Sequence, residues 1–269
     1  MDLNEKIDMI GRLYLGLEQI EDCKEFSSLI PEVRTNFVYA SKESATPEDV
    51  LAVDGRISVV DGFPKAIGRI KFGASGFMAH LLLEIQKKDS EIRSIIDFAN
   101  NPKIAEFLKD YCKEKEWNFS VVDRRFEPDN MKDTEGEAIS WLVEEAIRAA
   151  GGKIPRIFYE TGAVGKEPVS ILLGKDPLEV AEQICELARN YHESGQRTRL
   201  KEKAICEKQK MVPKVGRSGE RVIEALSSHG VMKKTSFSAL QYINRHQEVG
   251  IAEFEIHFEM RGLFAFTQY

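Results

Sequence analysis

The chain has 269 residues, 42% of them hydrophobic, and a net charge of −6, which allows one large domain or one of ordinary size with an appendage. No apolar run approaches the roughly 18 residues a membrane span needs, and the charged start MDLNEKIDMIGRL lacks a signal peptide's apolar stretch, so a soluble cytoplasmic protein is expected. Residues 1–195 carry 25 Lys and Arg against 36 Asp and Glu, and residues 196–269 carry 13 against 8, an acidic body and a basic tail that suggest two units with different jobs.

In chain order, Ile7, Ile10, Leu13, Leu17 and Ile20 have the spacing of an amphipathic helix within residues 3–29, ended by Pro31. TNFVYA reads as a short strand. TPEDVLAV carries a helix start, with Thr46 as N-cap, Pro47 at the first helical position and Asp49 closing the capping box. GRISVV and GRIKFG read as strands around a DGFPKAIG turn. From Phe77 to about Lys88 the chain is expected to be helical, followed by SEIRSIIDFA and PKIAEFLKDYCKEKE. WNFSVVDRR is a strand ending on charge, and EGEAISWLVEEAIRAAGG is a helix with glycine at its stop. PRIFYE and VSILLG are strands, and KDPLEVAEQICELARNYH is a helix with Asp176 as N-cap and Pro177 in its first position.

Strands and helices thus alternate to about residue 193, the pattern of an α/β domain with helices packed on a sheet. Residues 194–219 are polar and strongly basic and read as a linker or a loosely held helix. Residues 220–269 offer two short helical stretches and an alternating segment, IAEFEIHFEMRGLFAFTQY, that reads as a half-buried hairpin. Such a small α+β piece is compatible with a winged-helix-like unit and equally with an appendage on the first domain.

Three short turns at strand ends have the composition to grip an anion. The first is Gly73, Ala74, Ser75 and Gly76, small residues that leave backbone N–H groups bare where a helix begins. The second is TGAVGKEP, in which Gly162, Gly165, Lys166 and Glu167 could cradle a phosphate; two residues rather than four separate its glycines, so it is not a Walker A loop. The third is DRR, where Arg124 and Arg125 leave a strand together and a guanidinium fork would match phosphate oxygens. Cys23, Cys112, Cys185 and Cys206 are far apart, and the five histidines form no closely spaced pair, so nothing asks for a zinc site, a disulfide framework or a tightly held transition metal. No G-x-S-x-G elbow and no G-x-G-x-x-G after a strand is present. Composition and spacing stop at an α/β domain for a phosphorylated small ligand.

The order of the pieces says more. LIPEVRTNFVYA, TPEDVLAVDGRI, KFGASGFMAHLLLEI, DRRFEP, EGEAISWLVEEA and IFYETGAVGKEPVSILLGKDPLEV occur in the order found in the ThiN family, archaeal-type thiamine-phosphate synthase domains, which the chain resembles from about residue 8 to residue 192. The resemblance implies a three-layer α/β/α domain, residues 1–193, similar to class II aldolases. It implies that hydroxymethylpyrimidine diphosphate and a thiazole phosphate are joined to thiamine phosphate with release of pyrophosphate, with Mg²⁺ bridging diphosphate oxygens. It is also compatible with a homodimer.

Members that catalyse this reaction carry an arginine in the GRI block, here Arg56, and a histidine in the Gly-Ala-Ser block, where this chain has Phe77. Phenylalanine neither donates a hydrogen bond nor carries a proton. Two readings follow: a synthase in which His80, one helical turn on, partly substitutes, or a domain that senses thiamine phosphates without catalysis. In the second, the basic stretch from Arg197 to Lys234, with 11 basic and 4 acidic residues, would contact DNA phosphates.

Overall fold

Two largely apolar runs, SIIDFA and VSILLG, form the strands at the centre of the molecule, as expected of segments covered on both faces. The computed structural model describes residues 1–128, 135–163 and 167–211. Its strands are β1 (Phe37–Tyr39), β2 (Leu51–Val53), β3 (Ile57–Val60), β4 (Phe63–Ala66), β5 (Ile70–Phe72), β6 (Ser94–Ala99), β7 (Phe119–Val122), β8 (Ile157–Glu160) and β9 (Val169–Gly174). Its helices are α1 (Leu3–Asp22), α2 (Phe77–Lys88), α3 (Pro102–Glu114), α4 (Glu135–Ala149) and α5 (Pro177–Met211). Seven strands form one sheet in the order β5-β2-β1-β6-β9-β8-β7, and β3 and β4 pair separately as a hairpin. Only β7 and β8 run parallel; the other neighbours are antiparallel.

The two-residue alternation of the strands divides the core into two halves. Ile96, Phe98 and Leu172 point to one face, where α1 supplies Met9, Leu13 and Leu17, α3 supplies Ile104 and Leu108, and α5 supplies Val180, Ile184 and Leu187. Ile95, Ile171 and Leu173 point to the other, against Met78, Leu82 and Ile85 of α2 and Ile139, Leu142 and Val143 of α4. The result is the expected three-layer α/β/α domain. Gly16 lets α1 approach α5 closely, since a Cβ there would lie 2.9 Å from the Pro177 carbonyl oxygen. Arg12 of α1 reaches the Asp176 carboxylate at 2.7 Å, and Asp176 caps α5 by accepting from the Leu178 N–H at 2.9 Å.

Several local expectations are corrected. Ile7 and Ile10 stay 59% and 41% exposed, and the buried stripe of α1 begins at Met9 instead. The capping box at Thr46 and Asp49 is formed, but it starts a single 3₁₀ turn, Pro47–Asp49, before Val50 turns the chain into β2. DGFPKAIG contains β4, because Val59 and Val60 find partners in Pro64 and Phe63. Of the two readings of the basic stretch after residue 193, linker or loosely held helix, the helix holds as far as Met211, continuing α5. The hairpin and paired helices expected within 220–269 lie outside the described residues. Among the described residues, no helix is long and apolar enough to cross a membrane.

Candidate functional site

The N-terminal end of β1 and the C-terminal end of β6 meet at one edge of the core, and polar residues collect there. Asn36, just before β1, is bracketed by Asp97 of β6. The Asn36 N–H donates to Asp97 Oδ1 at 2.6 Å, Asn36 Nδ2 donates to Oδ2 at 3.3 Å, and the Asp97 N–H donates to the Asn36 carbonyl at 3.2 Å. Ser75 Oγ donates to Asn36 Oδ1 at 3.2 Å, which draws the Gly-Ala-Ser turn onto the sheet end. Asn36, Ser75 and Asp97 are all buried. Burial pushes the Asp97 carboxyl up to about 7, opposed by the Asn36 hydrogen bonds and the Arg56 charge, with Glu160 adding to the rise.

The turn itself behaves as its composition requires. Gly73 adopts φ 70°, a left-handed conformation that glycine takes at little cost. Its N–H bonds to the Val50 carbonyl at 3.0 Å. Gly76 precedes α2 with no side-chain cap, so the first N–H groups of α2 have no side chain to satisfy them. An anion would meet those groups at the positive end of the helix dipole.

Arg56 sits in the β2–β3 connection, directly after Gly55, and both are left-handed at φ 70° and 69°. For a non-glycine residue that conformation costs on the order of 1 to 3 kcal/mol. The Arg56 guanidinium donates to the Val33 carbonyl at 2.5 Å. The N–H groups of Glu32 and Val33 donate to the two Glu167 oxygens at 3.1 and 3.0 Å. Arg56 and Glu167 therefore hold opposite sides of one short loop, three residues ahead of Asn36. Arg34 in that loop is also left-handed, φ 68°, and donates to the Gly55 carbonyl at 3.4 Å.

The remaining candidates divide. Arg124 is buried, and its guanidinium donates to Glu127 at 3.0 Å and, through Nε, to Glu160 at 2.6 Å. Those carboxylates occupy the fork that was expected to grip phosphate. The Arg125 side chain is 83% exposed and forks onto Asp123 at 2.9 and 2.5 Å, which holds the Asp123 carboxyl down at about 2. His80 follows on α2, its N–H bonded to the Gly76 carbonyl, but its Nδ1 is enclosed with no hydrogen-bond partner. Phe77 leans partly against the α2–α4 half of the core. Gly162 follows Thr161, whose Oγ1 accepts the Arg124 N–H at 2.9 Å; Gly165 and Lys166 lie outside the described residues.

Sequence reasoning thus named Ser75, Arg56 and Glu167 among the groups that meet here, and missed Asn36, Asp97 and Arg34. Asp97 did leave a trace: it is the one charge inside the run SIIDFA, and a charge in a strand covered on both faces needs a reason.

The thiamine-phosphate synthase ThiN family model matches residues 12–186. The thiamine-phosphate synthase ThiN of Methanothermobacter thermautotrophicus is 39% identical over 176 residues, 65% of this chain and 90% of that protein. The bifunctional thiamine biosynthesis protein ThiDN of Methanocaldococcus jannaschii is 32% identical over 167 residues, 61% of this chain but only 37% of that longer protein. The crystal structure of the C-terminal domain of phosphomethylpyrimidine kinase superposes with a TM-score of 0.63 at 35% identity, covering 68% of this chain and 99% of that domain.

Proposed function

The chain belongs to the thiamine-phosphate synthase ThiN family, and from that premise we propose that it joins hydroxymethylpyrimidine diphosphate to a thiazole phosphate, forming thiamine phosphate and releasing pyrophosphate. The observation that carries the reading is the convergence of Arg56, Glu167 and the Gly73–Gly76 turn on one end of the sheet. In this reaction the ring nitrogen of the thiazole attacks the methylene carbon, the N–C bond forms, and the C–O bond to diphosphate breaks. The nitrogen carries no proton to lose, so the chain need not supply an obligatory base. It must stabilise negative charge growing on the leaving diphosphate, the task of fixed backbone N–H groups and a guanidinium. The bare N-terminus of α2 and Arg56 are the groups suited to it.

Magnesium enters this reading as the diphosphate's own counter-ion. Among the described residues no group of three or more His, Cys, Asp or Glu is placed to hold a metal. Two carboxyls beside the site are engaged, Asp97 by Asn36 and Glu167 by the Glu32 and Val33 N–H groups, while Glu48, next to Gly73, is exposed. These residues do not fit a metal caged by the chain itself.

Phe77 favours a second reading, a thiamine-phosphate sensor whose basic tail meets DNA. A synthase assay with both phosphorylated substrates and Mg²⁺, on the native chain and on Phe77→His, separates the two. Native turnover establishes the enzyme. Turnover only in Phe77→His marks a site disarmed at one position and supports the sensor. Silence from both chains, with substrate binding absent, overturns the proposal.

A further inference from the structure

We infer that Asp97 is a positioning residue for the Gly73–Gly76 turn, acting through the amide of Asn36 and the hydroxyl of Ser75. The inference rests on the proposed reading only in taking the turn as the seat of a phosphate.

Proton direction along the chain is fixed from its buried end. In its ionised form Asp97 offers Asn36 two acceptor oxygens, at 2.6 Å to the backbone N–H and 3.3 Å to Nδ2. A carboxyl oxygen facing the side-chain amide selects the orientation in which Nδ2 donates inward and Oδ1 points outward. Oδ1 is an acceptor, so Ser75 Oγ must donate to it, as the 3.2 Å contact shows. The Ser75 hydroxyl therefore spends its single proton on the anchor and has none left for a phosphate. Its place in the turn is that of a tether, and the anion is left to the backbone N–H groups and Arg56.

Burial gives the tether its stiffness. The side chains of Asn36, Ser75 and Asp97 are closed from water, and a hydrogen bond lost there leaves a partner unsatisfied. The backbone contact from the Asp97 N–H to the Asn36 carbonyl locks Asn36 from the second side. The turn spans the gap from β5, whose Phe72 pairs with Leu51, to Asn36 beyond the far end of β1. Gly73, Ala74 and Gly76 bring little side-chain packing of their own to hold that crossing. With the Asn36 amide reversed, Nδ2 would face Ser75 and the hydroxyl would turn its proton elsewhere, loosening the seat of the first α2 N–H groups.

Two measurements on the full-length chain test this. Amide hydrogen exchange of residues 73–77 should run at least tenfold faster in Asp97→Asn and in Ser75→Ala, with β6 and α1 protected as in the native chain, and Ser75→Thr should restore native exchange. Titration with inorganic pyrophosphate should show both substitutions weakening binding by roughly tenfold, with the double variant no worse than the weaker-binding single. Unchanged exchange at the turn, or losses that multiply in the double variant, would overturn the relay. If Asp97→Asn does not fold, Ser75→Ala and Ser75→Thr carry both measurements from the other end of the chain. A native chain that ignores pyrophosphate would sink the phosphate reading, and the exchange pattern would still decide for or against the relay.

Discussion

Replacing Asp97 by Asn should change how stability depends on pH more than it changes stability at any one pH. The Asp97 carboxyl is raised from its ordinary 3.8 to about 7, first by burial and further by Glu160, against the Asn36 hydrogen bonds and the Arg56 charge. Between those two values the folded chain keeps a proton that the unfolded chain has released. The unfolded state binds fewer protons there, so stability falls as pH rises. The separation is about three pH units, each near 1.4 kcal/mol, so this one group contributes a decline on the order of 4 kcal/mol between pH 4 and pH 7. Asp49, Glu91, Asp123, Glu145 and Glu179 are shifted the other way and lose their contributions as pH falls. They are common to both chains and cancel in the difference. Urea unfolding at a series of pH values from 4.5 to 8 would measure it, with Trp117 and Trp141 as reporters, both within the first 194 residues. The native chain should lose stability relative to Asp97→Asn as pH rises, steeply to pH 7 and little beyond. A difference that stays flat across that range would refute the argument that Asp97 is buried with a proton to lose.

Arg56→Ala should leave unfolding nearly unchanged, since the side chain is exposed and its one marked bond is to the Val33 carbonyl, yet cut synthase turnover by at least 100-fold; equal turnover would remove Arg56 from the site. Phe77→His should raise turnover by 10- to 100-fold if the missing group is a hydrogen-bond donor to the leaving diphosphate, read as kcat with both substrates saturating. Arg124→Met should destabilise the fold by about 3 to 5 kcal/mol, because Glu127 and Glu160 would lose their shared buried cation; a loss below 1 kcal/mol in urea unfolding would show that the cluster is wetter than it looks. Gly68→Ala should lower turnover without touching a substrate, because its Cβ would lie 2.6 Å from the Asp54 carbonyl oxygen and force the connection that carries Arg56 to move.

What the sequence disclosed follows from the range over which each cue acts. The helix over KDPLEVAEQICELARNYH was plain because Asp176 and Pro177 are read within one turn of it. The β3–β4 hairpin was obscured because Pro64 within DGFPKAIG suggested a turn. That proline is tolerated because β4 pairs with β3 alone, leaving its outer edge as one on which a missing N–H costs nothing. Ile7 and Ile10 kept a helical period yet lie outside the core, since α1 turns its Met9–Leu13–Leu17 stripe to the sheet. Arg124 was indistinguishable from a phosphate ligand on paper, because Glu160 is 36 residues away and only the β7–β8 pairing brings them together. Asn36 and Asp97 likewise meet only through the pairing of β1 with β6.

The same long-range pairings explain how an acidic domain could take an anionic substrate at all. Residues 1–195 carry an excess of 11 acidic over basic charges, and bare carboxylates beside the turn would repel a diphosphate. Several carboxyls near it are instead engaged among the described residues. Glu127 and Glu160 share the Arg124 guanidinium, and Glu167 takes two backbone N–H groups. Asp97 holds its proton below about 7. With those charges answered in part from within, positive groups offered outward among the described residues include the α2 N–H groups, Arg34 and Arg56, and Arg56 is held in a strained left-handed turn by the Val33 carbonyl. On this view Arg124 serves the anion without touching it, by offsetting part of the negative charge of Glu127 and Glu160 at the edge of its site. Phe77 then takes one donor from a site whose charge balance was set elsewhere, which is why its effect should fall on rate more than on binding.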